Sequence, residues 1–127
     1  MKHLPTIAGI LLGLLFIAAG LVVLLKLMPM PPLPEGSPAA MFMGAFGPTG
    51  YFTFVKILEV LGGILVAIPR TRNLGLLVLG PIIVNILAFH VFITRGHGLL
   101  DPPLLIIVAL ALYLLWAGRK AFAGLLR

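Results

Sequence analysis

Four apolar stretches, Leu4–Leu25, Gly50–Ile68, Leu74–Ile93 and Pro103–Gly118, take up most of this 127-residue chain. A helix crosses a bilayer with roughly 17–25 predominantly apolar residues, and each stretch reaches or approaches that length. Within lipid the backbone must satisfy its own hydrogen bonds, which a helix does inside one segment. Composition points the same way. The chain is 61% hydrophobic and 9% charged, with a mean hydropathy of +1.24, too little polar surface for a soluble domain. The expected fold is all-α, an integral membrane four-helix bundle in a single domain over residues 1–127. Its helices are expected over about residues 4–28, 50–68, 74–93 and 103–118.

The first stretch has a basic start at Lys2 and His3 and a small-residue patch, Ala18-Ala19-Gly20. A cleaved leader has a short apolar region that ends before such a patch. Here the apolar run continues through Leu21–Leu25, so a retained helix is expected. There is no cysteine, which excludes disulfides, thiol relays and cysteine-ligated metal centres within the chain. The net charge of +6 does not call for nucleic acid, because nearly all the charges sit at helix ends. In a four-span arrangement Lys2, Arg70, Arg72, Arg119, Lys120 and Arg127 fall on one side and Lys26 and Arg95 on the other. The positive-inside rule then puts both termini in the cytoplasm of a bacterial inner membrane.

The first outer loop opens with "MPMPPLPEGSP", whose prolines block helix and favour extended backbone. In the following "SPAAMFMGAFGPTG", Ser37 suits an N-cap, Pro38 the first helical position and Gly47 the position after the end. A short interfacial helix over Pro38–Phe46 is expected. Its uncharged Met41, Phe42, Met43 and Phe46 fit either an anchor in the outer interface or a lid over the helices. The second outer loop, "TRGHGLLDPP", reads as a turn. Gly9, Gly13 and Gly20, with Gly62-Gly63, read as close helix packing. Pro81 should loosen the third helix. The fourth helix, nearly all Leu, Ile, Val and Ala, should face mostly lipid, with Tyr113 and Trp116 in an aromatic belt.

The polar residues inside these spans are the candidates for function. At 1.5 Å per residue Lys56 lies about 9 Å and Glu59 about 13 Å from the outer end of its helix; His90 lies about 6 Å and Asn85 about 13 Å deep on the next. Lys26 sits near the outer end of the first. A lone charge at the bilayer centre costs roughly 2.5–3.5 kcal/mol, so opposite charges at one depth point to a shared cluster. Lys26, Lys56, Glu59, Asn85 and His90 are therefore taken as one ligand-binding group that opens outward. Lys56 and Glu59, three apart, share a helix face. Asn85 and His90, five apart, differ by about 140° on an ideal helix and can face one pocket only across a bulge or an altered turn. Each residue also has a plainer use: Lys26 snorkelling to headgroups, Lys56–Glu59 as a structural ion pair, Asn85 as helix-to-helix glue, and His90 as a satisfied interfacial histidine.

The stretches "AAGLVVLLKLMPMPPLP", "KILEVLGGILV" and "LGPIIVNILAFHVF" together resemble the DoxX family of small four-helix membrane proteins, over essentially the full length. The third, with Asn85 followed by Phe89-His90, carries most of the likeness. On that resemblance Lys26, Glu59, Asn85 and His90 stand at the family's recurring polar positions. Some members are tied to membrane redox systems, including thiosulfate oxidation coupled to quinone.

The residues narrow the chemistry further. Haem ligation by two histidines lacks a second buried imidazole. His90 and Glu59 alone are too few for a metal site. The single serine, Ser37, lies in a loop, so no nucleophilic triad is visible. Taken with the redox association that the resemblance implies, the reading is a binding subunit of a membrane redox system rather than an enzyme by itself. It carries no cofactor of its own and takes a quinone or another small amphiphile in the polar pocket. The expected partners are the lipid bilayer, a redox protein, the amphiphile and, as a homo-oligomer, further copies of the chain. The alternatives are a structural or assembly protein whose buried polar residues set helix packing, and a minimal small-molecule transporter.

Overall fold

A computed structural model describes residues 3–27, 33–93, 95–96 and 101–126. The proline run at 29–32 and the turn containing His97 lie outside the described residues, as do Lys2, Thr94 and Arg127. Among the described residues the chain is all-helical, with no strand. The helices are α1 (Leu4–Leu24), α2 (Pro38–Phe46), α3 (Tyr51–Ala67), α4 (Arg72–Ala88), α5 (Pro102–Ala117) and α6 (Arg119–Ala123). A π-helical turn, Phe89–Ile93, continues α4, and 3₁₀ turns occupy Pro69–Thr71 and Gly124–Leu126.

Two helices are long and apolar enough to cross a membrane: α1, with 21 residues, and the 25-residue Pro69–Ile93 segment built on α4. The pair α2 and α3 qualifies as a third if taken as one span, but it is bent by 86°. At 16 residues α5 is apolar but shorter. These helices make the chain a membrane protein.

The four longer helices close a ring of contacts. Helix α1 packs on α3 and α5, and α4 packs on the same two. The glycines set the directions and the spacing. A Cβ at Gly9 would strike the Val66 carbonyl, one at Gly13 the Gly63 carbonyl and Ala67, and one at Gly20 Val60. Contacts that descend α3 as they ascend α1 make the two antiparallel. Gly62 against Leu79, and Gly75 against the Val66 backbone, do the same for α3 and α4. Small residues here let backbones touch, and dispersion gains follow in lipid, where apolar burial supplies little driving force. Leu12, Phe16, Val66, Leu79 and Leu114 are fully buried between the helices. Helix α5 joins this core through Ala111 and Leu114 and exposes Leu105, Ile106, Leu112 and Leu115.

Three local features depart from the sequence expectations. Helix α1 stops at Leu24 rather than near residue 28. Lys26 takes a left-handed φ of 53°, while Leu27 N–H donates to the Val22 carbonyl and Lys26 N–H to that of Val23. This is the Schellman arrangement, built on a lysine where glycine is usual. Gly47 ends α2 in right-handed geometry, its N–H donating to the Met43 carbonyl. Gly50, at φ 84°, makes the left-handed turn into α3 instead. Finally, α4 runs through Pro81 unbroken and changes its winding eight residues later.

Candidate functional site

The site lies at the end of the helices that carries α2. The short helix forms over Pro38–Phe46, as its caps suggest, with Ser37 Oγ accepting from the Ala40 N–H at 3.1 Å. The sharp turn at Gly50 folds it back over the helices, so that Phe42, Met43 and Phe46 become walls of a cavity of about 320 Å³. Its inner face thus roofs the cavity, while Met41 points outward and is exposed. The other walls come from Phe16 and Ala19 of α1, Phe52, Val55, Lys56 and Glu59 of α3, Asn85 and Ile86 of α4, Phe89 and His90 of the π turn, and Ile107 of α5.

A chain of ring contacts ties α2 down. Phe42 meets Phe46 at 4.6 Å between centroids and Phe89 at 5.0 Å, Phe46 meets Tyr51 at 4.9 Å, and Phe89 meets His90 at 5.7 Å. The contacts with Phe89 and His90 are edge-on, the arrangement favoured by aromatic quadrupoles. Aromatic residues from α2, α3 and the π turn therefore frame the mouth of the cavity.

Beneath them lies the polar group. Lys56 Nζ stands 3.1 Å from Glu59 Oε2, an i,i+3 pair on α3. Glu59 is 3% exposed and is the one charged residue in the described core. Lys56 Nζ also lies 5.1 Å from the centre of the Phe52 ring, one helical turn earlier. A cation–π contact of this kind gains strength when water is kept away. Among the described residues no buried side-chain polar atom lacks a hydrogen-bond partner.

His90 Nδ1 lies 2.8 Å from the carbonyl oxygen of Ile86. A carbonyl can only accept, so Nδ1 carries the hydrogen and the neutral ring is an acceptor at Nε2. Asn85 and His90 line the same cavity despite their five-residue spacing. The π turn that begins at Phe89 takes more residues per revolution than an α-helix, which reduces their angular separation. Asn85 remains exposed, at the rim.

Four of the five residues read from the sequence, Lys56, Glu59, Asn85 and His90, thus line one cavity. Lys26 does not. The Schellman turn ends α1 short of it, and its side chain is exposed beyond the helix. Sequence reasoning did not assign the aromatic frame of Phe52, Tyr51 and Phe89. The Phe52–Lys56 spacing of four residues was the one available signal. Phe16 and Ile107 had none, because an apolar side chain facing a cavity reads like one facing lipid. Among the described residues no three metal-ligating side chains come together.

Over 77 residues the chain is 36% identical to the uncharacterized protein YwoB of Bacillus subtilis (strain 168). That match covers 61% of this chain and 48% of YwoB, so the chain spans about half the length of the curated relative it matches. No family model matches the chain, and no solved structure does.

Proposed function

We propose that this chain is a DoxX-like membrane protein that binds a quinone-like or other small amphiphilic ligand beneath α2, as the binding subunit of a membrane redox system. The observation that carries the reading is the meeting of Lys56, Glu59, Asn85 and His90 under an aromatic roof in one cavity of about 320 Å³. Ligand sites combine a mostly apolar lining with a few convergent polar groups, and this volume lies at the small end of their range. It suits a single ring with its substituents. A flat ring fits the faces of Phe42 and Phe46. A carbonyl oxygen suits the Asn85 amide or the Lys56 ammonium, and His90 adds a polar wall. A bound quinone would supply two-electron redox chemistry, and the electrons would come through a partner protein. The chain's own residues bind, orient and keep water out.

In this reading α1, α3, α4 with its π turn, and α5 each cross a bacterial inner membrane. The antiparallel packing of α1 on α3 and of α3 on α4 supports the alternation. So does the concentration of Arg70, Arg72, Arg119 and Lys120 at the end away from α2. At about 1.5 Å per residue α5 is about 24 Å long, and a local thinning of the bilayer accommodates it.

One observation favours the structural alternative. The Lys56–Glu59 pair closes within a single helical turn, so both charges are met without any ligand. The two readings separate in one experiment: thermal unfolding of the purified chain in nanodiscs, with and without a short-chain quinone analogue, for wild type, Glu59→Ala, His90→Ala and the double variant. A ligand-dependent rise in the wild type that is reduced non-additively in the variants supports binding. Absence of a shift with quinones and with other small amphiphiles leaves the structural role.

A further inference from the structure

The second polar concavity lies at the opposite end of the helices, where the first turn of α4 meets the junction of α5 and α6. It has a volume of about 440 Å³ and is lined by Arg72, Asn73, Gly118, Arg119 and Lys120 among others. Three cations on a wall this small attract an anion, and no acidic side chain among the described residues pairs with them. The chain's three acidic side chains are Glu35, before α2, Glu59, in the middle of α3, and Asp101, at the far end of α5. Asp101 is a helix of 16 residues away, about 24 Å, well beyond the screening length of about 8 Å at physiological salt. Neither Arg72, Arg119 nor Lys120 forms an ion pair with a described residue.

Arg72 and Arg119 are held by contacts of their own. The Arg72 stem lies over Gly9 of α1, its Cδ 3.2 Å from where a Cβ there would stand. Arg119 stacks its guanidinium 4.4 Å above the Trp116 ring and donates through Nη1 to the Trp116 carbonyl at 2.8 Å. That uses one of its five N–H donors. Gly118 leaves room for the Asn73 side chain, since a Cβ would fall 2.8 Å from Asn73 Oδ1. Both helices that form the cavity carry exposed leucines beyond it, Leu74 and Leu77 on α4 and Leu112 and Leu115 on α5.

We propose that this cavity binds the phosphate group of an anionic phospholipid, whose acyl chains lie on the exposed leucines of α4 and α5. The inference rests on the membrane-spanning character of the helices and is independent of the ligand beneath α2. Guanidinium forks match phosphate oxygens in geometry as well as charge. Basic hollows between membrane helices at the bilayer surface suit such headgroups. A dissolved phosphate shares the oxyanion chemistry but gains nothing from the exposed leucines, and that difference separates the two sources.

The test uses the full chain in a neutral detergent, with lipid binding read by native mass spectrometry and by thermal unfolding. The probes are phosphatidylglycerol, phosphatidylcholine and inorganic phosphate. The expected result is phosphatidylglycerol binding at least tenfold tighter than phosphatidylcholine, with inorganic phosphate unable to displace it at equal concentration. Arg119→Gln/Lys120→Gln should lower that affinity at least tenfold, with helical circular dichroism retained. Arg119→Lys, which keeps the charge and loses the fork, should fall between. Arg70 is exposed at the same end but outside the cavity, so Arg70→Gln should change affinity less than twofold. Equal binding of the two lipids, or displacement by inorganic phosphate, overturns the proposal. So does a loss in Arg70→Gln as large as in Arg119→Gln/Lys120→Gln, which marks general surface attraction.

Discussion

Removing Lys56 should cost more than removing Lys56 and Glu59 together. The two charged atoms are 3.1 Å apart, which at an effective dielectric of about 20 corresponds to an attraction of about 5 kcal/mol. Desolvation of both groups offsets much of this, so the pair as a whole adds little to stability. Breaking it is different. Lys56→Met leaves the Glu59 carboxylate, 3% exposed, without its cation, at a cost of about 3 kcal/mol. Glu59→Gln should cost less, about 2 kcal/mol, because Lys56 keeps the Phe52 ring and reaches the cavity. Lys56→Met/Glu59→Gln removes both charges at similar volume and should lie within about 1 kcal/mol of wild type. The coupling energy is then about 4–6 kcal/mol. The assay is reversible unfolding in mixed micelles titrated with a denaturing detergent, for all four proteins. Additive losses would refute the reasoning, because they would mean the two side chains do not act as a pair in the folded protein.

Helix contact through glycine predicts that Gly13→Ala lowers stability by about 1–3 kcal/mol in the same assay, since its Cβ meets the Gly63 carbonyl. Gly44→Ala in α2, whose Cβ meets nothing within 4 Å, should raise stability by up to about 1 kcal/mol. Ser37→Ala removes the bond to the Ala40 N–H and should destabilise α2 by about 1 kcal/mol, seen as faster amide exchange over 38–46 with exchange in α1 unchanged. For orientation, reporter fusions after Arg127 should be active in the cytoplasm and inactive in the periplasm; the reverse result would invert the arrangement.

The all-helical fold was legible in the sequence because hydrophobic length is a property of a segment taken alone. So was the short helix over Pro38–Phe46, since Ser37, Pro38 and an uncharged interior act within a few residues. That Lys56 and Glu59 share a helix face was legible for the same reason, their i,i+3 spacing being local, but that Lys56 rather than Lys26 or His90 meets Glu59 was settled by the tertiary structure. What the tertiary structure decided was orientation. Whether α2 anchors in the interface or roofs a cavity depends on the turn at Gly50 and on where Phe42 finds Phe89. Whether Asn85 and His90 can face one cavity depends on a π turn that no residue pattern marks. Lys26 leaves the group because α1 ends one turn early, through backbone bonds that a lysine does not advertise. The basic hollow at the other end shows the same division. The sequence by itself determined that Arg72, Arg119 and Lys120 stand at helix ends. Only the packing of α4 on α5 placed them around one space, because charge spacing along a chain carries no information about distance between helices.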